Sequence, residues 1–316
     1  MDVLSNALLA LKVQSMLVSS WQLQAPWGVD NSTFKHAFCL CVMSGICCFR
    51  PKEGAQQWLQ AGDILLCPRG GDCGFSSAAD SPLSGLAEIW QYAEFPGFAH
   101  FAPSERLEVS WGGQGEQTRL VILAFELYNQ PSHPLLEVLP DFIYFSAQHA
   151  SIVQAMKPAL NFLAGKEAEQ GKGFFAVASH LAEWMYISLL RDFILSQQQQ
   201  YPAWLGALKE PGILRALHCI HTQAREHWDV AALAKEAGMS RTGFSNRFRE
   251  LVQRTPIDYL NHWRIILATQ LLRERPLPIS YLSAEVGFGS ERVFRRVFKQ
   301  KTGISPQSYK KQHAQL

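Results

Sequence analysis

The chain lacks the signatures of several common functions. None of its seven cysteines forms a CxxC pair, so the usual spacing of a zinc site is missing. No His-x-His pair occurs in residues 1–140, where His36, His100 and His133 stand alone. The first twenty residues have no basic start and are broken by Lys12 and Gln14. They make a poor signal peptide and are too short to cross a membrane. They read instead as an amphipathic helix, with Leu4, Leu8 and Leu11 on one face, packing on the first domain of a cytoplasmic protein. Without export, a disulfide framework is not expected. Charged residues make up only 18% of the chain against 47% apolar, an ordinary soluble balance. A length of 316 residues suits two domains, each with its own core.

The small net charge of +2 conceals a strong partition. Residues 211–316 hold 17 of the 29 Lys+Arg but only 8 of the 27 Asp+Glu. The remainder holds 12 and 19. A basic C-terminal part joined to an acidic N-terminal part is the electrostatic footprint of a nucleic-acid-binding domain.

That basic part contains one pattern twice. Leu233, Glu236 and Gly238 recur as Leu282, Glu285 and Gly287. Phe244, Phe248, Pro256 and Tyr259 recur as Phe294, Phe298, Pro306 and Tyr309. A repeat at this period is one supersecondary unit used twice. Each copy predicts a helix ended by glycine, a short turn and a second helix, with Ser240 as N-cap in the first copy. Phe244, Phe248 and Leu251 face a core in one copy; Phe294, Val297 and Phe298 do so in the other. The opposite faces carry Thr242, Ser245, Asn246 and Arg249, and Arg292, Arg295, Arg296 and Lys299 beside Glu291. Counting Lys301, five basic residues gather in the last of these helices. Two short helices around a glycine-containing turn form the helix-turn-helix unit, whose second helix enters the DNA major groove. Between the copies, Thr255-Pro256 opens a long helix with Leu260, Trp263, Leu267 and Leu271 on one face. It stops before Arg275-Pro276-Leu277-Pro278. Ser305-Pro306 opens the last helix in the same way.

On these residues, the region from about 210 to 311 closely resembles the DNA-binding region of the AraC/XylS transcription regulators. The resemblance implies two helix-turn-helix units joined by a long helix, double-stranded operator DNA as partner, and contact with RNA polymerase. By position in the family motif, Thr242, Ser245 and Asn246 are the base readers of the first unit. Arg292, Arg295 and Arg296, with Glu291, are those of the second. Glu291 reads equally as a carboxylate capping the first turn of its helix. Arg241 and Arg249 are placed for phosphates, and Lys299 adds to the basic face.

Residues 20–127 have the texture of strands and turns. Apolar runs at Ala37–Val42, Asp63–Cys67, Leu86–Trp90 and Leu120–Leu127 are bounded by Gly, Pro, Asp and Ser. The turn Ala61-Gly62-Asp63 and the strand behind it resemble the second segment of cupin barrels. Ala25-Pro26-Trp27-Gly28 and Pro134-Leu135-Leu136 are similar to the cupin-type sensor domain of one branch of the same regulators. This implies a jelly-roll barrel enclosing a pocket for a small-molecule effector. Cys39 and Cys73 stand where relatives often place histidine, which argues against a metal centre. No cofactor is expected. Six cysteines lie between Cys39 and Cys73, and Cys39 and Cys41 share a strand face. They read either as small buried hydrophobes or, for Cys39, Cys41 and Cys73, as a thiol sensor in the effector pocket.

Helical periodicity returns over 141–195, with Ile152, Met156, Leu160 and Leu163 in one stripe and Leu181, Trp184, Met185, Ser188 and Leu189 in another. Gly171-Lys172-Gly173 separates two antiparallel helices, which either cover the barrel or make a homodimer contact. The Gln197–Gln200 run, followed by Tyr201-Pro202, marks a linker. Trp204-Leu205 then opens the last domain.

The reading is an α+β multidomain chain. Residues 1–140 form a cupin-like effector-sensing domain with its N-terminal helix. Residues 141–200 form a helical segment and linker, and 201–316 an all-α double helix-turn-helix domain. The function expected is sequence-specific transcription regulation, activation included, in response to an effector. The alternatives are a thiol-based redox regulator and a cupin-type metalloenzyme with a DNA-binding tail. The enzyme reading needs a constellation that is missing: His180, His218, His221 and His227 lie on helices without carboxylate partners at suitable spacing. Sequence-neutral DNA packaging fits the mixed polar face Thr242/Ser245/Asn246 poorly.

Overall fold

Two long antiparallel strands, β1 (Val13–Gln24) and β10 (Gln117–Leu127), form the centre of the N-terminal fold. In the computed structural model, residues 2–95, 107–127, 133–148, 150–165, 172–196, 204–275 and 277–313 are described. His100, Gly171 and the 197–202 linker fall outside them. The remaining strands are β2 (Gly28–Asp30), β3 (Ala37–Ser44), β4 (Ile46–Pro51), β5 (Gln57–Gln60), β6 (Ile64–Cys67), β7 (Cys73–Ser76), β8 (Ser84–Gly85), β9 (Leu107–Gly112) and β11 (Ile143–Phe145). One sheet runs β11-β6-β3-β10-β1-β9, the other β5-β4-β7-β2-β8. Both bury apolar side chains in one core, Trp21, Leu40 and Val109 from the first sheet and Val29, Phe49 and Phe75 from the second. This is the cupin-like two-sheet arrangement.

The expected turn at Gly62 is present, with φ +92°. Behind it, Asp63 is 3% exposed. Its carboxylate accepts from Gln60 N at 2.8 Å, Ala147 N at 2.9 Å and Tyr144 Oη at 2.9 Å. Burying a carboxylate is tolerable only with such full pairing. The run Leu86–Trp90 is not a strand but the start of helix α2 (Leu86–Tyr92). Leu86 and Ile89, three apart, are its buried pair, and Glu88 favours the first turn. An apolar run this short carries no period that separates the two states.

Helices α4 (Ser151–Ala164) and α5 (Phe174–Ser196) follow the strands. Tyr186 of α5 stacks at 4.9 Å on Phe125 of β10, and its hydroxyl donates to Pro68 O at 2.8 Å. The helices therefore cover the outer face of the first sheet. Of the expected α5 stripe, Met185 and Leu189 are buried, whereas Trp184 is 44% exposed.

The second compact unit gathers Met1–Lys12, Tyr128–Leu139 and Ile194–Leu316. The N-terminal helix α1 (Val3–Ala10) thus departs from its expected place. It packs on α7 (Pro211–Thr222), through Val3, Ala7 and Leu8, rather than on the strands. Gln270 Nε2 donates to Ala10 O at 3.0 Å. The short helices α3 (Pro134–Glu137) and α6 (Trp204–Ala207) join the same unit. The rest is α8 (Val230–Ala237), α9 (Arg241–Val252), α10 (Pro256–Glu274), α11 (Ile279–Glu285), α12 (Glu291–Thr302) and α13 (Pro306–His313).

A buried histidine–aromatic stack occupies its centre. The His221 ring lies 3.7 Å from Trp263, nearly parallel to it. Tyr259 Oη accepts from Trp204 Nε1 at 2.9 Å and lies 2.8 Å from His221 Nε2. His133 accepts from Leu135 N at 3.3 Å as the N-cap of α3. His221 is therefore a core residue.

Burial pulls both His133 and His221 from about 6.5 down to about 3. Between those values the unfolded chain binds protons that the folded chain refuses. Stability of this unit should therefore fall as pH drops through that window and stay level above it. Amide exchange in α7 and α10 across pH 5 to 7 measures this before most carboxylates titrate. A His133→Gln/His221→Gln variant should show a flatter acid limb, and an unchanged slope would assign the loss to other groups.

Candidate nucleic-acid interface

The two copies of the repeat fold alike. Gly238 and Gly287 both end their first helices with positive φ, +68° and +88°. Ser240 Oγ accepts from Gly243 N at 3.2 Å and caps α9; Ser290 makes no such bond at α12. Phe244 and Phe248 anchor α9, and Phe294, Val297 and Phe298 anchor α12, all buried. The opposite faces are open. Arg241, Thr242, Asn246 and Arg249 are exposed on α9, with Ser245 half-buried. Arg292, Arg295, Arg296 and Lys299 are exposed on α12.

Glu291 stands in the first turn of α12, where a carboxylate favours the helix. Its carboxylate accepts from Arg295 Nε at 2.7 Å, one helical turn away, and so orients that guanidinium. Lys301, counted with the basic cluster, turns inward. Its ammonium lies 2.8 Å from Asp258 Oδ1 of α10, with the side chain 13% exposed. Burial opposes ionisation of Asp258, but Lys301 and Arg254 outweigh it and hold the carboxyl below its ordinary range. Arg247 is likewise held within the fold by Glu210 and Glu250.

Residues 233–312 match the helix-turn-helix domain and residues 2–194 match the cupin family. The chain belongs to the AraC/XylS transcription regulators with a cupin-type N-terminal domain. It is 29% identical over 98% of its length, and 99% of the relative's, to an AraC-like transcription regulator of Streptomyces antibioticus. It is also 29% identical to the HTH-type transcriptional regulator AlkR of Acinetobacter baylyi, over 86% of each chain. Among solved structures, the DNA-binding domain of AdpA in complex with a target DNA is 30% identical, covering 32% of this chain and 90% of its own, with a TM-score of 0.31. ToxT from Vibrio cholerae O395 is 12% identical over 96% of this chain and 99% of its own, with a TM-score of 0.37.

In this AraC-type chain the cysteines divide by strand parity. Phe38, Leu40 and Val42 of β3 pair with Ala124, Ile122 and Leu120 on the core side. Cys39 and Cys41 pair with Leu123 and Val121 and so face the other way, toward the α5 layer. Their sulfurs lie 3.7 Å apart, fully buried. The neighbouring Cys41 thiol and burial push Cys39 well above its ordinary range. Of the three candidate sensor cysteines only Cys73 belongs to the core between the sheets, where it also lines a cavity with Cys67 and Asp72. Arg69, close to Cys73 in sequence, is paired with Asp141 at 2.5 Å.

The space between the sheets is nearly filled. Leu17, Trp21, Phe38, Phe75, Trp90 and Ile122 leave about 30 Å³ there. A second cleft, of about 690 Å³, had no counterpart in the sequence reading. It lies where β1 and β9 end and β10 begins, beside β2, β8 and α2. Its local signals were the alternation Gln22-x-Gln24 at a strand end and the Pro26-Trp27-Gly28 stretch that follows. Among the described residues, no group of three His, Cys, Asp or Glu is placed to hold a metal. His180, expected to lack a carboxylate partner, lies 3.4 Å from Glu183, the histidine exposed and the carboxylate half-buried. No helix of the described residues is long and apolar enough to cross a membrane.

Lys301→Ala should lower thermal stability and leave the salt dependence of operator binding nearly unchanged. Lys299→Ala should do the reverse, reducing the log–log salt slope by about one. Filter-binding titrations over a salt series, with melting curves, separate the two.

At Gly287 a Cβ would come within 2.8 Å of Ala224 O and of Arg225 Cα. Gly303 has a similar φ of +81° with nothing within 4 Å. Gly287→Ala should thus lose more stability than Gly303→Ala in urea unfolding, on the order of 1–3 kcal/mol in total for the former. It should also weaken operator binding, because the α7–α8 loop sits against that turn. Equal losses would show that φ strain alone matters.

Proposed function

We propose that α9 and α12 read an operator in successive major-groove segments, and that the cupin-type domain receives the signal governing this. The observation that carries the reading is the pair of open polar faces on helices whose other faces are locked in a core. Thr242, Ser245 and Asn246 supply hydrogen-bond groups for base edges at the first unit. Arg292 and Arg296 do so at the second, with Arg295 held in place by Glu291. Arg241, Arg249 and Lys299 supply phosphate contacts, which give affinity and salt dependence.

Residues 1–140, 141–200 and 201–316 are the sensing, helical and DNA-binding parts in this reading, with α1 and α3 lent to the last. The chain acts as a cytoplasmic homodimer that engages RNA polymerase, and it is not an enzyme. Exposed Phe162, Val177 and Trp184 on α4 and α5 support a dimer contact there. The buried, high-pKa setting of Cys39 favours a small-molecule effector over a thiol signal, because thiolate is the reactive form.

Arg296→Ala should weaken operator binding by about 1–3 kcal/mol and relax preference at one or two base pairs. Competitive binding to a randomised operator library tests this. A loss shared uniformly by all sequences would make Arg296 a phosphate contact.

A further inference from the structure

The large cleft at the strand ends shares an uncharged lining with the space between the sheets, but is far roomier and more polar. Among the described residues thirteen line it, and none of these is charged. The smaller surface cavity, by contrast, carries Lys52, Glu53, Asp72 and Asp141. A charged ligand would lose hydration in the cleft with no counter-charge among these residues to replace it. The lining instead offers three carboxamides, Gln22, Gln24 and Gln117, and three aromatic rings, Trp27, Tyr92 and Trp111.

Strand pairing brings the amides together. Gln24 sits opposite Gln117 on β10, and Gln22 opposite Ser110 on β9. Each carboxamide is both donor and acceptor, which suits hydroxyl groups that are themselves both. Beside them Tyr92 meets Trp111 edge-on at 5.4 Å, which presents ring surface at the mouth. Tyr92 is 69% exposed, so much of that surface is open among the described residues. Gly112 keeps the floor low: a Cβ there would lie 2.2 Å from Gln24 O. The volume falls within the range of small-molecule sites, roughly 300–1,000 Å³. The space between the sheets, about 30 Å³, has room for little more than a water.

We infer that this cleft is a binding site for an uncharged, hydroxyl-rich ring molecule, its polar rim gripped by Gln22, Gln24 and Gln117 and its ring face laid on Trp111 and Tyr92. This rests on the reading that the cupin-type domain receives an effector, and it places that effector at the sheet edge rather than between the sheets.

The test uses the full chain and three probe sets: uncharged mono- and disaccharides, uncharged nucleosides, and aliphatic carboxylates. Tryptophan fluorescence and the melting midpoint report binding. At least one uncharged probe should bind, and which set it comes from identifies the source of the ring. Trp111→Ala should weaken it about tenfold or more, while Trp58→Ala, on the far edge strand β5, should not. Should Trp111→Ala fail to fold, Gln24→Ala/Gln117→Ala, at two exposed side chains, carries the same comparison. Binding of carboxylates alone, binding indifferent to Trp111 and both glutamines, or no uncharged binder would each overturn the proposal. Operator affinity is measured with and without the bound probe. Binding that leaves operator affinity unchanged would keep the site and remove the effector role assigned above.

Discussion

Both helix-turn-helix units depend on α10, a helix that is buried on nearly every side. Tyr259, Leu260, His262, Trp263, Ile265, Ile266, Ala268 and Leu272 all lie inside. A helix apolar on one stripe floats on a core; one apolar most of the way round is the core. Its few polar groups are spent on fixing its neighbours. Arg264, 8% exposed, donates to Ala224 O and Glu226 O and so holds the loop before α8. Asp258 holds Lys301 of α12, and Arg273 donates to Tyr309 Oη of α13 at 2.8 Å. The spacing between the recognition helices is thus set by protein packing before DNA arrives. Preorganisation of this kind lowers the ordering penalty of association.

This division of labour among cations qualifies the charge argument. A surplus of basic residues in 211–316 marks the domain but does not say which of them face DNA. Arg215 donates to Glu236 O and Ala237 O, closing the end of α8. Arg225 pairs with Glu285, Arg247 with Glu210 and Arg254 with Glu137. Salt screens exposed ion pairs of this type, and each is worth little alone. Their role here is geometric. The cations left over on α9 and α12 are those with no acidic partner among the described residues, apart from Arg295. Sequence spacing found these faces because helical period sorts a recognition helix into inside and outside. It could not sort Lys301, whose acidic partner lies 43 residues away.

The same contrast explains the N-terminal half. The Gly62-Asp63 turn was legible because a positive-φ glycine and a buried, hydrogen-bonded carboxylate leave a local mark. The facing of Cys39 was not, since a one-residue change of register exchanges the two faces of a strand. Only the pairing with Leu123 settles it. The destination of α1 was hidden for a related reason. An amphipathic helix announces a buried stripe but not the partner that buries it. The cleft at the sheet edge was least legible, because its walls come from β1, β2, β8, β9, β10 and α2, and no spacing along the chain joins them.

A packed space between sheets and an open cleft at their edge make different demands on a signal. A ligand entering the packed space must displace aromatic side chains, and forcing extra volume into a filled core costs about 1–3 kcal/mol. That energy is subtracted from binding before any is left to shift an equilibrium. A ligand in the cleft meets no such penalty, so more of its differential affinity is available to bias one state over another. The strand order gives that bias a route within the domain. β9 lies in register along β1, β1 along β10, and β10 carries Phe125 against Tyr186 of α5. An edge strand that tightens around a ligand therefore acts on the sheet whose outer face supports the helical layer.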